Sequence, residues 1–182
     1  MKTTKEQLRK IYKTKRLEEE FNPNILVRIL DQKNWKWEKS NVEIFLPKEG
    51  EINTFPLVTF LRNNNAQIIS TVMKEHNKTL ESKIWESTEQ LVDNKWGIPE
   101  PINGQKIDKS EIDIVFVPLL VADKKGMRVG YGKGYYDRHL PECTNAKFIG
   151  LSQFDLITEI TDINEFDIPM HYCLCPNGLY AF

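Results

Sequence analysis

The sequence predicts an α/β protein, a single-domain three-layer sandwich in which helices flank a largely parallel sheet. Apolar segments of strand length alternate along the chain with segments that have the periodicity of helices, as in folds of this class. Residues 111–120 are almost continuously apolar, as in a strand that is covered on both faces. No repeat or low-complexity linker divides the chain, so residues 1–182 are predicted to form one domain.

The N-terminal half contains two helices, a strand, a third helix and a second strand in the prediction. Residues 4–20 have helical periodicity, and Thr4 with Gln7 forms a capping box at their start. Asn22 is expected to cap the next helix, with Pro23 at its first position. The remaining elements of this half are a strand at 41–47, a helix at 54–62 and a strand at 66–72.

The C-terminal half is predicted to continue the alternation around a glycine-rich loop. Residues 75–95 are ambiguous and stay unassigned, and WGIPEPING is a proline-rich loop. After these come the strand at 111–120, the glycine loop, a short helix at 135–140, a strand at 147–152 and a further strand near HYCLC.

Composition and charge argue against several classes of protein: those that bind nucleic acid, membranes or structural zinc, and those that are secreted. The net charge of −1 gives no general attraction to nucleic acid or to an anionic membrane. No apolar run approaches the ~20 residues that cross a bilayer, and the charged segment MKTTKEQLRK lacks the apolar core of a signal peptide. Cys143, Cys173 and Cys175 show no zinc-finger spacing. We therefore expect a cytoplasmic protein with reduced thiols and no nucleic-acid or membrane partner. A monomer is expected as well.

The segment RVGYGKGYYDRHL, residues 128–140, has the composition of an anion-binding loop. It follows the predicted central strand, at the sheet edge where open α/β folds bind ligands. Its three alternating glycines allow backbone N–H groups to approach a ligand, and Arg128 and Lys133 add positive charge. Asp137 is a hard oxygen ligand that suits Mg²⁺. Together these features favour phosphate binding.

The spacing alone leaves a second interpretation open. Glycine-rich loops also serve as plain turns, and this loop matches neither the Walker pattern GxxxxGK[ST] nor GxGxxG. A phosphate site and a structural loop are therefore both compatible with the glycine pattern itself.

The longer segment DIVFVPLLVADKKGMRVGYGKGYYDRHL resembles the signature region of the 5-formyltetrahydrofolate cyclo-ligase family. The residues in register with the family pattern are Gly126, Arg128, Gly130, Gly132, Gly134, Tyr135, Tyr136 and Asp137. Shorter segments that are similar to family elements are KEQLR (5–9), IFLPKEGEINT (44–54), WGIPEP (96–101) and INEFDIPM (163–170).

This resemblance implies an ATP-dependent ring closure of 5-formyltetrahydrofolate to 5,10-methenyltetrahydrofolate, with phosphorylation of the formyl oxygen and release of ADP and phosphate. The implied ATP-binding residues are Lys5, Arg9, Arg128, Val129, Gly130, Tyr131, Gly132, Lys133, Gly134, Tyr135 and Tyr136. The implied folate-binding residues are Leu46, Glu51, Trp96, Tyr131, Gly132, Lys133, Gly134 and Tyr135. The implied catalytic residues are Lys133 and Arg128, and the implied Mg²⁺ ligands are Asp137 and Asp167.

Other interpretations of these residues follow from the sequence. Lys5 and Arg9 also fit the solvated face of a helix, and Trp96 fits either a pocket wall or the core. The chain departs from the family pattern at 119–122 and at 171–175, which keeps a non-catalytic nucleotide- or folate-binding relative as the alternative function. An isomerase or acyl-transfer enzyme on a related fold is disfavoured, because no His or Glu stands at the predicted strand ends.

Overall fold

A seven-stranded sheet forms the centre of the described residues, 3–86 and 91–182 of a computed structural model. Two separate two-stranded antiparallel sheets accompany it. In chain order the strands are β1 (Asn41–Ile44), β2 (Gln67–Lys74), β3 (Thr79–Ile84), β4 (Leu91–Asp93), β5 (Pro99–Pro101), β6 (Ile114–Pro118), β7 (Val121–Ala122), β8 (Arg128–Val129), β9 (Lys147–Leu151), β10 (Tyr172–Cys175) and β11 (Gly178–Ala181). The α-helices are α1 (Lys5–Glu18), α2 (Asn24–Asp31), α3 (Phe55–Asn63) and α4 (Tyr135–His139).

The large sheet is mostly parallel, which confirms the predicted class. Its spatial order is β11-β10-β9-β6-β1-β2-β3, and the five inner strands run parallel to one another. The two edge strands, β3 and β11, pair antiparallel with their neighbours. Inner strands of this kind are buried on both faces, whereas edge strands tolerate polar residues.

The central strand β6 shows why helices cover both faces. Ile114 and Phe116 point into the larger hydrophobic cluster, which α2 and α3 complete. Val115 and Val117 point to the opposite face, into the cluster that Leu140 closes at the end of α4. The three predicted layers are therefore present. No helix among the described residues is long and apolar enough to cross a bilayer.

The structure confirms the predicted start of one helix and corrects the predicted start of another. The capping box of α1 is confirmed, because Thr4 Oγ1 accepts from Gln7 N at 3.4 Å and Thr4 N donates to Gln7 Oε1 at 3.1 Å. The expected Asn22 cap of α2 is wrong by one residue. Pro23 itself has helical dihedrals and occupies the cap position, while the Asn22 side chain accepts from Asn24 N at 3.0 Å in a turn before the helix.

The segment with the poorest sequence signal contains three strands. Residues 75–95, left unassigned, hold β3 and β4, with residues 87–90 outside the described part. The predicted proline-rich loop is wrong in part, since β5 pairs antiparallel with β4 through Asp93 and Pro99. β4 and β5 are only three residues long, and β5 consists of two prolines and a glutamate, so neither alternation nor β propensity marks them. β11 is likewise a strand that the sequence prediction lacked.

A buried polar cluster fixes α4 to the sheet. Glu43 on β1 is 1% exposed, and it accepts from Ser82 Oγ at 2.5 Å. His139, the last residue of α4, lies with Nε2 2.6 Å from the other Glu43 oxygen. Buried polar groups need such partners, so this cluster sets the height of α4 above the sheet. The position of α4 in turn sets the position of the glycine loop.

Candidate functional site

A cleft of about 570 Å³ opens above the carboxyl ends of β1 and β6. Phe45 and Leu46, which follow β1, and Pro118, which ends β6, form part of its floor. Its other walls come from α1, β2, the β4–β5 hairpin and the glycine loop. Parallel sheets bind ligands at this edge, because adjacent strands diverge into loops there.

The glycine loop connects a short hairpin to α4. β7 and β8 form the hairpin, and Gly134 ends the loop as the residue before α4, with a φ of +69° that side chains rarely adopt. Arg9 Nε donates to the carbonyl of Gly130 at 3.0 Å and ties the loop to α1. Because α4 has five residues, its macrodipole adds little, and positive charge in the loop comes from side chains.

Two cation–carboxylate pairs stand at one end of the cleft. Lys5 pairs with Asp167, and the Lys5 backbone N–H donates to Asp162 Oδ1 at 2.7 Å. Arg128 pairs with Asp137 and also donates to the carbonyl of Ile168. These contacts join the start of α1, the glycine loop and residues 162–168 into one charged wall.

The two carboxylates of this wall fit a magnesium ion that carries phosphate. Asp137 and Asp167 line the same cleft, and Arg128 bridges Asp137 to the residue next to Asp167. Mg²⁺ commonly takes one or two carboxylates and completes its octahedron with phosphate oxygens and water. The described residues contain no cluster of three or more His, Cys, Asp or Glu that would hold a metal ion by itself. The donor set therefore suits an ion that arrives with a nucleotide.

Aromatic side chains and Glu51 also line the cleft. The Tyr131 hydroxyl accepts from Arg16 Nη1 at 2.8 Å, and Lys48 Nζ lies 4.4 Å from the centre of the Tyr131 ring. Burial, followed by the negative charge of Glu51, raises the pKa of Tyr131 above its ordinary value. Burial and the nearby carboxylates of Glu43 and Glu51 also raise the pKa of Tyr136 well above normal. Both phenols therefore stay protonated at neutral pH and can donate hydrogen bonds.

Trp96 lies on the cleft rather than in the core. It sits in the turn of the β4–β5 hairpin with 44% of its surface exposed, and Lys95 Nζ lies 4.5 Å from its ring centre. Asn94 shapes this turn, since its Oδ1 accepts from Trp96 N at 2.9 Å and from Ile98 N at 3.2 Å. The hairpin thus presents an aromatic face to the cleft.

The cleft brings together nearly all the residues implied by the resemblance. Those that line it are Lys5, Arg9, Leu46, Glu51, Trp96, Arg128, Gly130, Tyr131, Gly132, Lys133, Gly134, Tyr135, Tyr136, Asp137 and Asp167. Val129 is different, because it is fully buried in β8 and packs beneath the loop with Leu8 of α1. Its side chain supports the loop from below.

The sequence analysis did not single out several other lining residues, which are Lys13, Phe45, Lys48, Thr71, Met73, Glu75, Lys78, Leu80, Ile98 and Pro118. Lys13 had a usable signal, since it follows Lys5 and Arg9 at four-residue spacing on one face of α1. The β2 residues had none, because their place in the cleft depends on the pairing of distant strands.

Comparisons with known proteins agree with this arrangement. Residues 2–171 match the sequence profile described as the 5-formyltetrahydrofolate cyclo-ligase family. The chain is 35% identical over 139 residues to 5-formyltetrahydrofolate cyclo-ligase of Haemophilus influenzae, an alignment covering 70% of this chain and 74% of the relative. It is 28% identical over 150 residues to the Escherichia coli K12 enzyme of the same name, covering 78% and 80% of the two chains.

The fold has a solved counterpart as well. The NMR structure of 5,10-methenyltetrahydrofolate synthetase from Aquifex aeolicus superposes with a TM-score of 0.77 at 22% identity, over 97% of this chain and 92% of that one. The profile match spans nearly the whole chain. This chain belongs to the 5-formyltetrahydrofolate cyclo-ligase family.

Proposed function

We propose that the protein closes the ring of 5-formyltetrahydrofolate to 5,10-methenyltetrahydrofolate and converts ATP to ADP and phosphate in the same reaction. The observation that carries this proposal is a single cleft whose lining combines two cation–carboxylate pairs with several aromatic side chains. The charged pairs match a polyphosphate, and the aromatic side chains match a flat pterin ring. Family membership supports both assignments.

The chemical difficulty lies in the formyl group. Its amide-like carbonyl is a poor electrophile, and its oxygen is a poor leaving group. Attack of the formyl oxygen on the γ-phosphorus, with departure of ADP, turns that oxygen into part of a phosphate ester. N10 then attacks the formyl carbon and loses its proton, and phosphate departs with the original formyl oxygen. Such a transfer requires positioning and charge stabilisation rather than a covalent protein nucleophile.

The side chains of the loop are suited to these needs. Arg128 is held by Asp137 and by the Ile168 carbonyl before any ligand binds, so its guanidinium requires little reorganisation. Lys133 lies exposed at the cleft between two glycines and supplies a mobile positive charge. We assign both residues to stabilising the migrating phosphoryl group, and we assign the backbone of residues 130–134, with Lys5 and Arg9, to binding the rest of the triphosphate.

Asp137 and Asp167 would hold Mg²⁺, which neutralises phosphate charge when it is bound. Lys5 and Arg128 hold these two carboxylates in place. Each cation also offsets the negative charge of its partner.

For the folate, we assign Glu51 to binding the amino edge of the pterin. Its ionised carboxylate accepts hydrogen bonds only, which matches the adjacent N–H donors of that edge. Leu46, Trp96 and Tyr135 supply apolar surface for the ring.

We propose in addition that the protein works on these small molecules as a cytoplasmic monomer of one domain, without nucleic-acid or membrane partners. The near-neutral net charge supports this, as does a cleft whose walls come from residue 5 through residue 167 of one chain.

The decisive test is to mix the protein with Mg-ATP and 5-formyltetrahydrofolate and to follow the methenyl chromophore. We expect the signal only when both substrates and Mg²⁺ are present, and loss of the signal on adding excess EDTA. Glu51→Gln should weaken folate binding more than ATP binding. Binding of both ligands without turnover would identify a non-catalytic relative instead.

A further inference from the structure

The β4–β5 hairpin brings Trp96 to the cleft, but it is a separate sheet that has to be held against the large one. β1 pairs with β2 only as far as Ile69, so among the described residues the later part of β2 has no strand of the large sheet on that side. β5 lies beside β2. The position of Trp96 therefore depends on how the hairpin is attached to β2.

Glu100 on β5 makes this attachment with one carboxylate oxygen. Its Oε1 accepts from the backbone N–H of Met73 at 2.9 Å and from Asn94 Nδ2 at 2.9 Å. Met73 belongs to β2 and lines the cleft, whereas Glu100 is half-buried and does not line it. Hydrogen bonds to a carboxylate are stronger than bonds between neutral groups, so this contact is a firm link between the hairpin and β2.

Asn94 extends the link from Glu100 to the turn that carries Trp96. While its Nδ2 donates to Glu100, its Oδ1 accepts from Trp96 N at 2.9 Å and from Ile98 N at 3.2 Å. The oxygen of an amide only accepts and its nitrogen only donates, so one orientation of Asn94 satisfies all three bonds. Glu100 thereby fixes the side chain that holds the backbone of Trp96.

A second contact between the hairpin and the end of β2 is exposed. Lys95 pairs with Glu75, and their side chains are 60% and 46% exposed. Exposed ion pairs contribute little to stability. The contact through Glu100 is therefore the one that we expect to determine where Trp96 stands.

We propose that Glu100 is a positioning residue for the folate, because it holds Trp96 at the cleft through its bonds to Met73 and Asn94. An aromatic side chain that is already in place loses less conformational freedom when a flat ring binds to it. The inference rests on the proposed assignment of Trp96 to the pterin, and it adds a residue outside the cleft as a determinant of folate affinity.

The first test compares Glu100→Ala, which removes both hydrogen bonds, with Glu100→Gln, which keeps an oxygen that can accept them. In Glu100→Ala, the Kd for 5-formyltetrahydrofolate from calorimetry and its KM should both rise about tenfold, and in Glu100→Gln by about threefold or less. In both variants kcat and the Kd for Mg-ATP should change by less than about twofold, because only uniform binding of the folate is lost. If Glu100→Ala does not fold, Glu100→Asp, which shortens the reach of the carboxylate, replaces it with the same expected direction.

Asp93→Ala is the matched control. It removes an exposed carboxylate from the same hairpin, outside the cleft, and should change none of these constants. An unchanged folate Kd in Glu100→Ala, or an equal rise in Asp93→Ala, would overturn the positioning role.

A double-mutant cycle tests whether Glu100 acts through Trp96. In the Trp96→Ala background, Glu100→Ala should raise the Kd for folate by less than about twofold further, because the ring that Glu100 positions is absent. Independent, multiplying losses would show that Glu100 affects the folate by another route and would overturn the proposal.

Trp96 fluorescence tests the contact without a ligand. Trp96 is 44% exposed, whereas Trp37 and Trp85 are buried, so the emission that Trp96→Ala removes can be followed as a difference. Acrylamide should quench this emission more strongly in Glu100→Ala than in the wild type or Asp93→Ala. Equal quenching would overturn the proposal, because the hairpin would then hold Trp96 without Glu100.

The same measurements separate this proposal from the proposed function. Wild-type folate binding without turnover would refute ring closure alone, since the Kd and quenching values still decide the role of Glu100. A wild-type protein that binds no folate would refute the assignment of Trp96 to the pterin and this role with it.

Discussion

Lys133 is the residue on which the catalytic proposal depends most. Lys5 and Arg128 are paired with carboxylates, whereas Lys133 makes no ion pair in the part of the chain that the structure describes. Among residues 3–86 and 91–182, its carbonyl accepts from Arg138 Nη2 at 3.1 Å, and its ammonium group has no hydrogen-bond partner. In the proposed mechanism this ammonium group follows the phosphoryl group from ATP to the formyl oxygen.

We predict that Lys133→Ala lowers kcat more than it raises the KM for folate, because the charge matters most in the transition state. The loss should be about 2–4 kcal/mol, or roughly 10²–10³-fold in rate. Lys124→Ala is the matched control, since Lys124 is exposed nearby but lies outside the cleft. Steady-state kinetics and melting temperatures of the two variants provide the measurement. Near-normal turnover by folded Lys133→Ala would remove Lys133 from the mechanism.

At the scale of elements, the turn between β7 and β8 holds the glycine loop in position. Asp123 Oδ1 accepts from Lys125 N at 2.8 Å and from Met127 N at 3.0 Å, which closes the turn. Gly126 lies at its tip with a φ of +80°, and its carbonyl accepts from Met170 N at 2.8 Å. This contact ties the turn to the segment that carries Asp167.

Gly126→Ala should therefore lower the free energy of unfolding by about 1–3 kcal/mol, through backbone strain. An added Cβ would also stand 2.8 Å from the Met170 carbonyl and 2.9 Å from the Phe182 ring. Gly130→Ala is the contrasting variant, because a Cβ there meets no atom within 4 Å. Urea unfolding should separate the two variants clearly. Equal stability of both would show that the turn tolerates a side chain.

The link between β1 and α4 gives a second prediction at this scale. Glu43→Ala removes the partner of both Ser82 and His139 inside the sheet layer. We expect a loss of about 3 kcal/mol in the free energy of unfolding, since breaking a buried polar pair leaves its partner unsatisfied. Glu159→Ala, which removes one half of an exposed pair with Lys125, should leave the urea midpoint unchanged. A small effect of Glu43→Ala would mean that water replaces the carboxylate.

At the scale of the molecule, the sequence predicts best where local signals and tertiary packing coincide. The strand β6 is recognisable because both of its faces are buried, and α1 because its cap is local. The β4–β5 hairpin is not recognisable, since its strands are short and its stability comes from packing near β2. The position of Arg16 is equally hidden, because its partner Tyr131 is 115 residues away.

Prediction of the cleft is limited in the same way, because its contacts join residues that are far apart in the sequence. The glycine loop was visible as a motif, and the family resemblance identified Glu51 and Asp167 as its companions. The pairing of Asp167 with Lys5 and the contact of Tyr131 with Arg16 depend on how α1 crosses the carboxyl edge of the sheet. No periodicity in the sequence encodes that crossing, so charge partners within the site emerge only from the assembled fold.

The three cysteines are buried, Cys143 below α4 and Cys173 and Cys175 together on β10, and their ionisation makes the stability of the protein depend on pH in the alkaline range. Burial first, and then neighbouring groups, raises the pKa of Cys143 to about 12 and that of Cys175 to about 11. The pKa of Cys173 is raised as well, by burial and by Cys175. In the unfolded chain the same thiols have pKa values near 8.5. The folded protein therefore retains these protons at pH values where the unfolded chain has lost them.

We accordingly predict that the free energy of unfolding falls as pH rises from about 9 to 11. In that range the native state binds more protons than the unfolded state, so raising the pH favours unfolding, by up to about 1.4 kcal/mol per pH unit for each thiol. Urea unfolding in the presence of a reductant, at steps between pH 8 and 10.5, measures the slope. Cys143→Ala should make the slope shallower, whatever its effect on stability at pH 8, because Cys143 is one of the contributing thiols. A free energy independent of pH across this range would mean that the thiols ionise freely in the native protein, and rapid alkylation of the folded protein at pH 9 would indicate the same.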